Sequence, residues 1–365
     1  MLYGQCLGTA NTRKQPSHFW RLSLVIGIQN IHCSSIYRGC LPMRFHKWRN
    51  SMLLHEHPTD FKDLQELTAD YIGIPAVAVE RDYYIVMMLE KLAQSPYADS
   101  CVFKGGTSLS KCYPGSIERF SEDIDLTFLP QEEMGNKQYD RRLKQIEKAM
   151  TSGFRLEKIT GERNDRNKSS YVWFNDKNGA NGRIKLEIGS SIRPDPYRPM
   201  PVKTYVQEFL EAKGMLQEVE EFGLSQVIVN TLAIERTFLD KVMSVKRHAI
   251  CGSLTEKIRH VYDVTMLFPR EDIQGFLKDK VELKRLMEIT KQTDSFYLEK
   301  RNTSTEYTPL GAYDFPMWRE KFNAAAQERY EKLHETLLYT DQKQDFNLAL
   351  STFDKLNQIF DSIGE

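Results

Sequence analysis

Residues 103–128 read FKGGTSLSKCYPGSIERFSEDIDLTF. Two glycines and two hydroxyl residues come early, and two aspartates one residue apart come late. Ile124, Leu126 and Phe128 alternate with Asp123, Asp125 and Thr127, the pattern of a half-buried strand. Side chains two apart on a strand share a face, so Asp123 and Asp125 present their carboxylates side by side. Like charges that close repel unless a cation lies between them. Hard oxygen donors in this arrangement suit Mg²⁺, which takes one or two carboxylates and completes its shell with phosphates. Upstream, Gly105 and Gly106 let the backbone approach a ligand closely. Thr107 and Ser108 place hydroxyls at the start of a helix predicted over Gly105–Lys111, where free N–H groups and the helix dipole favour a phosphate. A GG turn or a DxD pair alone is common on protein surfaces. The order strand, GG[T/S], helix, strand, DxD is far more specific, and it describes a site for Mg²⁺–nucleotide chemistry.

Outward from this stretch, Ser100–Phe103 reads as a short strand and residues 60–96 as helices interrupted at Gly73–Pro75. Asp140–Met150 is a charged helix. Tyr171–Phe174 and Arg183–Ile188 are two strands joined by an Asn-, Asp- and Gly-rich turn. Four prolines between Pro194 and Pro201 mark an extended connector and a domain boundary. Beyond it the periodicity is helical over Thr231–His248, Leu254–Leu267, Arg270–Lys278, Val281–Lys291, Trp318–Leu333 and Asp345–Ile359, with a loop over Thr293–Pro316. The fold class is α/β (α+β): a small mixed-sheet core with N-terminal helices over residues 52–200, then a mostly helical domain over 201–365.

The chain has 365 residues with 50 basic and 50 acidic side chains, so the overall charge does not announce a nucleic-acid partner. Residues 1–50 carry seven Lys/Arg and no Asp or Glu. The expectation is that residues 1–51 are an extension outside the folded domain, with translation starting at Met43 or Met52. Cys6, His32, Cys33 and Cys40 lack metal-ligand spacing. Cys101, Cys112 and Cys251 are isolated, as in a reducing cytoplasm, and no segment reads as transmembrane.

FKGGTSLSK…ERFSEDIDL resembles the signature of the AbiEii-type nucleotidyltransferases, a branch of the DNA polymerase β-like superfamily whose members are toxins of toxin–antitoxin, abortive-infection loci. RIKLEIG at 183–189, ERTFLDKVMSVK at 235–246 and RHVYDV at 259–264 extend the likeness over roughly residues 60–270. The resemblance implies a third carboxylate, Glu187, as metal ligand or general base, and a phosphate-binding Lys241. It also implies a role for Asp263 in the nucleotide site. With Asp123, Asp125 and Glu187 as catalytic and metal ligands, two Mg²⁺ ions would be held. Gly105, Gly106, Thr107, Ser108, Ser121, Lys241 and Asp263 would bind the nucleoside triphosphate, and the acceptor hydroxyl would belong to RNA, the tRNA 3′ end being one candidate. A cytoplasmic toxin with an antitoxin encoded by a neighbouring gene, active in phage defence, is the implied setting.

Read for themselves, these residues keep plainer alternatives. Glu187 is also an ordinary strand carboxylate, Lys241 a solvated helix residue, and Asp263 an anchor for Arg259 or Lys241. Ser121 either binds phosphate or caps a turn. Lys241, Lys246, Arg247, His248, Lys257 and Arg259 are either a basic surface for polyphosphate or RNA, or a solvated face. An antibiotic-modifying nucleotidyltransferase would share the same core, whereas an inert nucleotide-binding regulator would be expected to have lost a carboxylate.

Overall fold

The computed structural model describes residues 53–130, 132–174, 182–190, 193–299, 307–336, 338, 339 and 344–365. The N-terminal extension expected over 1–51 and most of the turn expected after Phe174 lie outside these residues.

Two helices open the described chain, α1 (Pro58–Ile72) and α2 (Ala76–Ala93). Proline stands in the first turn of α1, where its missing N–H is no loss. Gly73, at φ 83°, closes the helix with its N–H on the Ala69 carbonyl. Then come β1 (Cys101–Lys104), α3 (Gly105–Cys112), β2 (Asp123–Phe128), α4 (Asn136–Met150), β3 (Arg155–Lys158), β4 (Asn167–Phe174) and β5 (Gly182–Gly189). They are followed by β6 (Tyr197–Val202), α5 (Tyr205–Ala212), α6 (Leu216–Glu221), β7 (Val227–Leu232), α7 (Ile234–Ile250), α8 (Ile258–Leu267), α9 (Glu271–Lys278) and α10 (Lys280–Glu299). Short helices α11 (Phe315–Trp318), α12 (Ala324–Glu331) and α13 (Leu333–Thr336) lead to α14 (Phe346–Asp361).

The strands form one mixed sheet in the order β3-β4-β5-β2-β1-β7-β6. The alternation read from sequence holds on the two strands that matter most. Ile124 and Leu126 on β2, and Ile184, Leu186 and Ile188 on β5, are wholly buried, which turns Asp123, Asp125, Lys185 and Glu187 to the other face. The parallel register of β2 and β5 sets Asp125 opposite Glu187 and Asp123 opposite Lys185. The antiparallel register of β1 and β2 sets Lys104 opposite Asp125. Three neighbouring strands thus put a lysine, an aspartate and a glutamate in one row.

Several local expectations change. The proline-rich connector contributes an edge strand, β6, whose Pro199 and Pro201 face Asn230 and Ile228 of β7. An edge strand tolerates proline because half of its N–H groups have no ladder partner to lose. Residues expected to begin a helix at Thr231 are instead the end of β7, which pairs in parallel with β1. Val227, Val229 and Thr231 are buried on one face of β7, which pairs with β1 and β6, so strand pairing prevails, and the helix starts at Ile234. Sheet pairing therefore runs past the boundary expected at 200/201. The loop expected from Thr293 is helical up to Glu299, because Asp294 is buried and bonded to Arg247 and Tyr307. The helix expected over Trp318–Leu333 breaks where Asn323 caps a new one, accepting from the Ala325 and Ala326 amides. No helix among the described residues is long and apolar enough to cross a membrane.

Candidate active site

The glycine pair and the aspartate pair fit directly against each other. Gly105 has φ 85°, a conformation that costs a side-chain-bearing residue about 1 kcal/mol or more, and a Cβ there would collide with Asp125 Oδ2. A Cβ on Gly106 would stand 2.6 Å from Ser121 Oγ and 2.7 Å from Arg119 Nη2. The close approach that glycine permits is thus first an approach of the protein to itself. It lets the carboxylate of Asp125 and the loop before β2 sit over the start of α3.

A cavity of about 640 Å³ opens here, within the usual range for a small-molecule site. Its walls include Gly105, Gly106, Ser121, Asp123, Asp125, Glu187 and Lys241. Most of the residues singled out from sequence are brought together in this way. Three are not on its wall. Thr107 is buried, with Oγ1 2.9 Å from Ser121 Oγ and 2.5 Å from the Asp123 carbonyl. Ser108 is buried and donates to the Gly105 carbonyl at 3.0 Å. Both hydroxyls are occupied in fixing the turn, so the GG segment offers its backbone and not these side chains. Asp263 is fully buried and accepts from Arg119 through both carboxylate oxygens, at 2.5 and 2.7 Å. Lys241 Nζ lies 2.6 Å from Asp263 Oδ2. Asp263 therefore anchors Arg119 and Lys241, and both of these reach the cavity wall.

The electrostatics follow from burial. Desolvation alone would raise the Asp263 pKa, but Arg119 and Lys241 outweigh it and hold the carboxyl well below the usual range. Burial lowers the pKa of Lys241, with Asp263 opposing and Arg119 adding to the fall. The Asp123 carboxyl is pushed up by burial, eased by Arg259 and raised again by Glu187. Arg259 Nη2 stands 3.9 Å from Asp123 Oδ2, so the i, i+4 pairing of Arg259 with Asp263 expected from sequence is not made. Glu187 takes the Lys185 ammonium at 2.5 Å, and Lys185 also meets Glu162 at 2.8 Å.

Among the described residues no three Asp, Glu, His or Cys side chains stand close enough to hold a metal ion. What fits a hard divalent cation is the pair Asp123 and Asp125 on one wall, where added positive charge would relieve the penalty that burial and Glu187 place on Asp123. A two-carboxylate donor set completed by substrate phosphates is ordinary for Mg²⁺.

The expected basic surface is also revised. Lys241 and Lys246 are buried, the latter donating to the Ala312 carbonyl at 2.5 Å, and Arg247 pairs with Asp294.

Comparison with known proteins identifies a family. The family described as nucleotidyl transferase AbiEii toxin, type IV TA system, matches residues 87–362. The chain belongs to this family. It is a nucleotidyltransferase, of the kind that serves as the toxin of a toxin–antitoxin system. Among solved structures it is similar to MenT4, a nucleotidyltransferase toxin from Mycobacterium tuberculosis H37Rv. The identity is 18% over 82% of this chain and 97% of that one, with a TM-score of 0.44. No curated protein matches the sequence.

In this AbiEii-family toxin two positions at the site stand out that sequence reasoning did not single out. Arg119 is almost fully buried and bridges the loop before β2 to α8. The available signal was a basic residue between the GG and DxD pairs with two hydrophobic neighbours, Ile117 and Phe120. Lys185 sits two residues before Glu187, hence on its face, and that spacing alone could have found it.

Proposed function

We propose that this toxin transfers a nucleoside monophosphate from a nucleoside triphosphate to a hydroxyl at the 3′ end of an RNA, tRNA being the candidate, with Mg²⁺ as the metal. The observation that carries this reading is the convergence of Asp123, Asp125, Glu187, the Gly105–Gly106 backbone and Lys241 on one cavity wall. When bound, Mg²⁺ would supply positive charge to the attacking and leaving oxygens of an in-line displacement. Asp123 and Asp125 would hold it, and Glu187 would join them for a second ion once released from Lys185.

The chain's own residues do the rest. The amides at the start of α3 and Ser121 face the triphosphate, and Lys241, kept in place by Asp263, presents an ammonium to its phosphates. Where Glu187 is not engaged with a metal, it accepts the proton of the attacking hydroxyl. The new bond joins that oxygen to the α-phosphorus, the α–β bridging bond breaks, and pyrophosphate leaves. The balance of charge favours this over an inert nucleotide-binding regulator, since all three carboxylates and both glycines are present. A cytoplasmic setting, an antitoxin from a neighbouring gene and a part in phage defence belong to the same reading.

The test is incubation with each α-labelled nucleoside triphosphate, Mg²⁺ and total tRNA. Label should enter RNA with the parent protein, and Asp125→Asn should remove at least about 100-fold of the rate, the scale of one lost electrostatic contact in such a site, at unchanged melting temperature. Label entering only a small hydroxyl compound would favour the antibiotic-modifying alternative. Near-parent turnover by Asp125→Asn would defeat the mechanism.

A further inference from the structure

A second groove, of about 540 Å³, is continuous with the first. The two share Arg166 and Thr293, and the same strand ends run through both. Leu126 and Thr127 of β2 line the first, while Phe128, Leu129 and Pro130 line the second. Gly189 lines the first and Ser190 the second. At about 3.3 Å per strand residue, the second groove begins about 10 Å along β2 from Asp125. Its described lining holds two arginines, Arg166 and Arg193, and no Asp or Glu, in a chain with 50 acidic residues.

Arg166 stands where the grooves meet, and its position is built. The guanidinium carbon lies 3.5 Å from the centroid of the Tyr139 ring, and Nη2 donates to Asn136 Oδ1 at 2.9 Å. Its carbonyl accepts from the Ser190 amide at 3.0 Å, tying the loop to the end of β5. Its Nε has no hydrogen-bond partner among the described residues. Arg193 is exposed, and Phe296 on α10 is 41% exposed. Guanidinium and aromatic side chains along one groove are groups that single-stranded nucleic acid recognises. Bases stack on aromatic rings and guanidinium planes, and phosphates meet the cations.

We propose that this groove receives the 3′-terminal segment of a single-stranded polynucleotide, delivering its last hydroxyl to the carboxylates of β2. The inference rests on the nucleotidyl-transfer reading and adds the acceptor's path to it. The helix face read from sequence as basic offers less than expected, because Lys246 is buried against the Ala312 carbonyl and Arg247 pairs with Asp294.

The experiment is fluorescence anisotropy with a labelled single-stranded RNA of mixed sequence ending in a 3′-hydroxyl, the same DNA, and a blunt duplex. It is run on the full-length protein, on Arg193→Ala with Phe296→Ala, and on Asp125→Asn. Nucleoside triphosphate affinity and melting temperature are measured in parallel. The groove variant should raise Kd for single strands at least about fivefold, the loss of one stacked base, and lower the slope of log Kd against log salt by about 0.7 for the lost phosphate contact. Its triphosphate affinity and melting temperature should stay at parent values. Asp125→Asn should bind RNA normally and transfer nothing. Comparison of the RNA and DNA arms tells which polynucleotide the groove takes, and preference for either over the duplex supports the proposal. Parent-like strand affinity in a folded groove variant, while the parent still labels RNA, would overturn the groove and leave the transferase reading intact. Failure of the parent to bind any strand, or binding of an acidic peptide in its place, would also overturn it.

Discussion

Gly105 combines a backbone at φ 85° with the carboxylate of Asp125 standing in the space of its missing side chain. Gly105→Ala therefore forces two changes at once: backbone strain of order 1–3 kcal/mol and displacement of Asp125. The expected outcome is a modest fall in melting temperature with transfer lost by about 100-fold or more, checked by pairing thermal melting with single-turnover rates; a variant with full activity would show that Asp125 need not sit against the turn. Asp263 offers a different case. It is the shared counter-charge of two buried cations, and removing it leaves both without their anion. Such losses cost about 3–5 kcal/mol, so Asp263→Asn should be strongly destabilised in urea titration at pH 7. Because the folded-state pKa of Asp263 lies below its unfolded value, its contribution is complete above about pH 4 and declines as pH falls through the folded value. The gap between parent and variant should accordingly be flat from pH 7 to 5 and narrow only in stronger acid.

Lys246 gives the opposite sign. Burial pushes its pKa down to about 8, so the unfolded chain binds the extra proton between about pH 8 and 10.4. Stability from this residue is therefore lowest below pH 8 and recovers as pH rises. Lys246→Met should gain on the parent by on the order of 1–2 kcal/mol more at pH 7 than at pH 9.5, read as the change in urea midpoint. An offset independent of pH would mean that burial leaves the ammonium charged across this range, as in the unfolded chain.

At the scale of elements, the loop between α3 and β2 depends on a segment more than 200 residues away. The Tyr339 amide donates to the Glu118 carbonyl at 3.0 Å, Leu338 bridges Arg119, and the Tyr339 ring meets Phe120 edge-on at 4.3 Å. This strap holds the loop that carries Arg119 and Ser121 to the cavity. Tyr339→Ala is expected to cost about 2 kcal/mol, below the range for a fully buried aromatic because this ring is only half-buried, and to weaken triphosphate binding more than it slows transfer at saturation. Isothermal titration with a non-hydrolysable triphosphate, set beside the saturated rate, would separate the two. An unchanged Kd would leave the strap a purely structural tie. The same scale explains why some elements were misjudged. β7 looks helical because Thr231 precedes a helical run without a break, and only pairing with β1 and β6 keeps residues 227–232 extended. β6 looks like a linker because of its prolines, which an edge strand can hold.

At the scale of the molecule, β7 lies between β1 and β6 although it follows both in sequence. We propose that residues 52–365 fold as one cooperative unit. A fragment ending at residue 200 would leave β1 with an unpaired edge and the loop before β2 without Asp263. It should show no cooperative thermal transition and should aggregate, whereas residues 52–365 should melt as the full chain does. A fragment 52–200 with a sharp transition and native-like amide protection would establish an independent core.

The side-by-side placement of the two aspartates was legible in local order alone. Alternation at two residues is enough to put Asp123 and Asp125 on one face of their strand, and the same rule applied to 183–189 puts Lys185 and Glu187 on one face of theirs, because side-chain direction on a strand is a local property. Helix boundaries marked by Gly73 or Met150 are local as well. Partners distant in sequence were not legible. Whether Lys241 meets solvent or Asp263, whether Arg259 pairs along its helix or across to Asp123, and whether Thr107 faces ligand or core all depend on which elements pack together. For Lys241 burial settles the matter: a charge removed from water must take the nearest opposite charge in three dimensions, whatever its distance along the chain. Packing also decided the groove past β2, where Arg166, Arg193 and Phe296 come from three separate stretches of sequence that only the tertiary structure brings together.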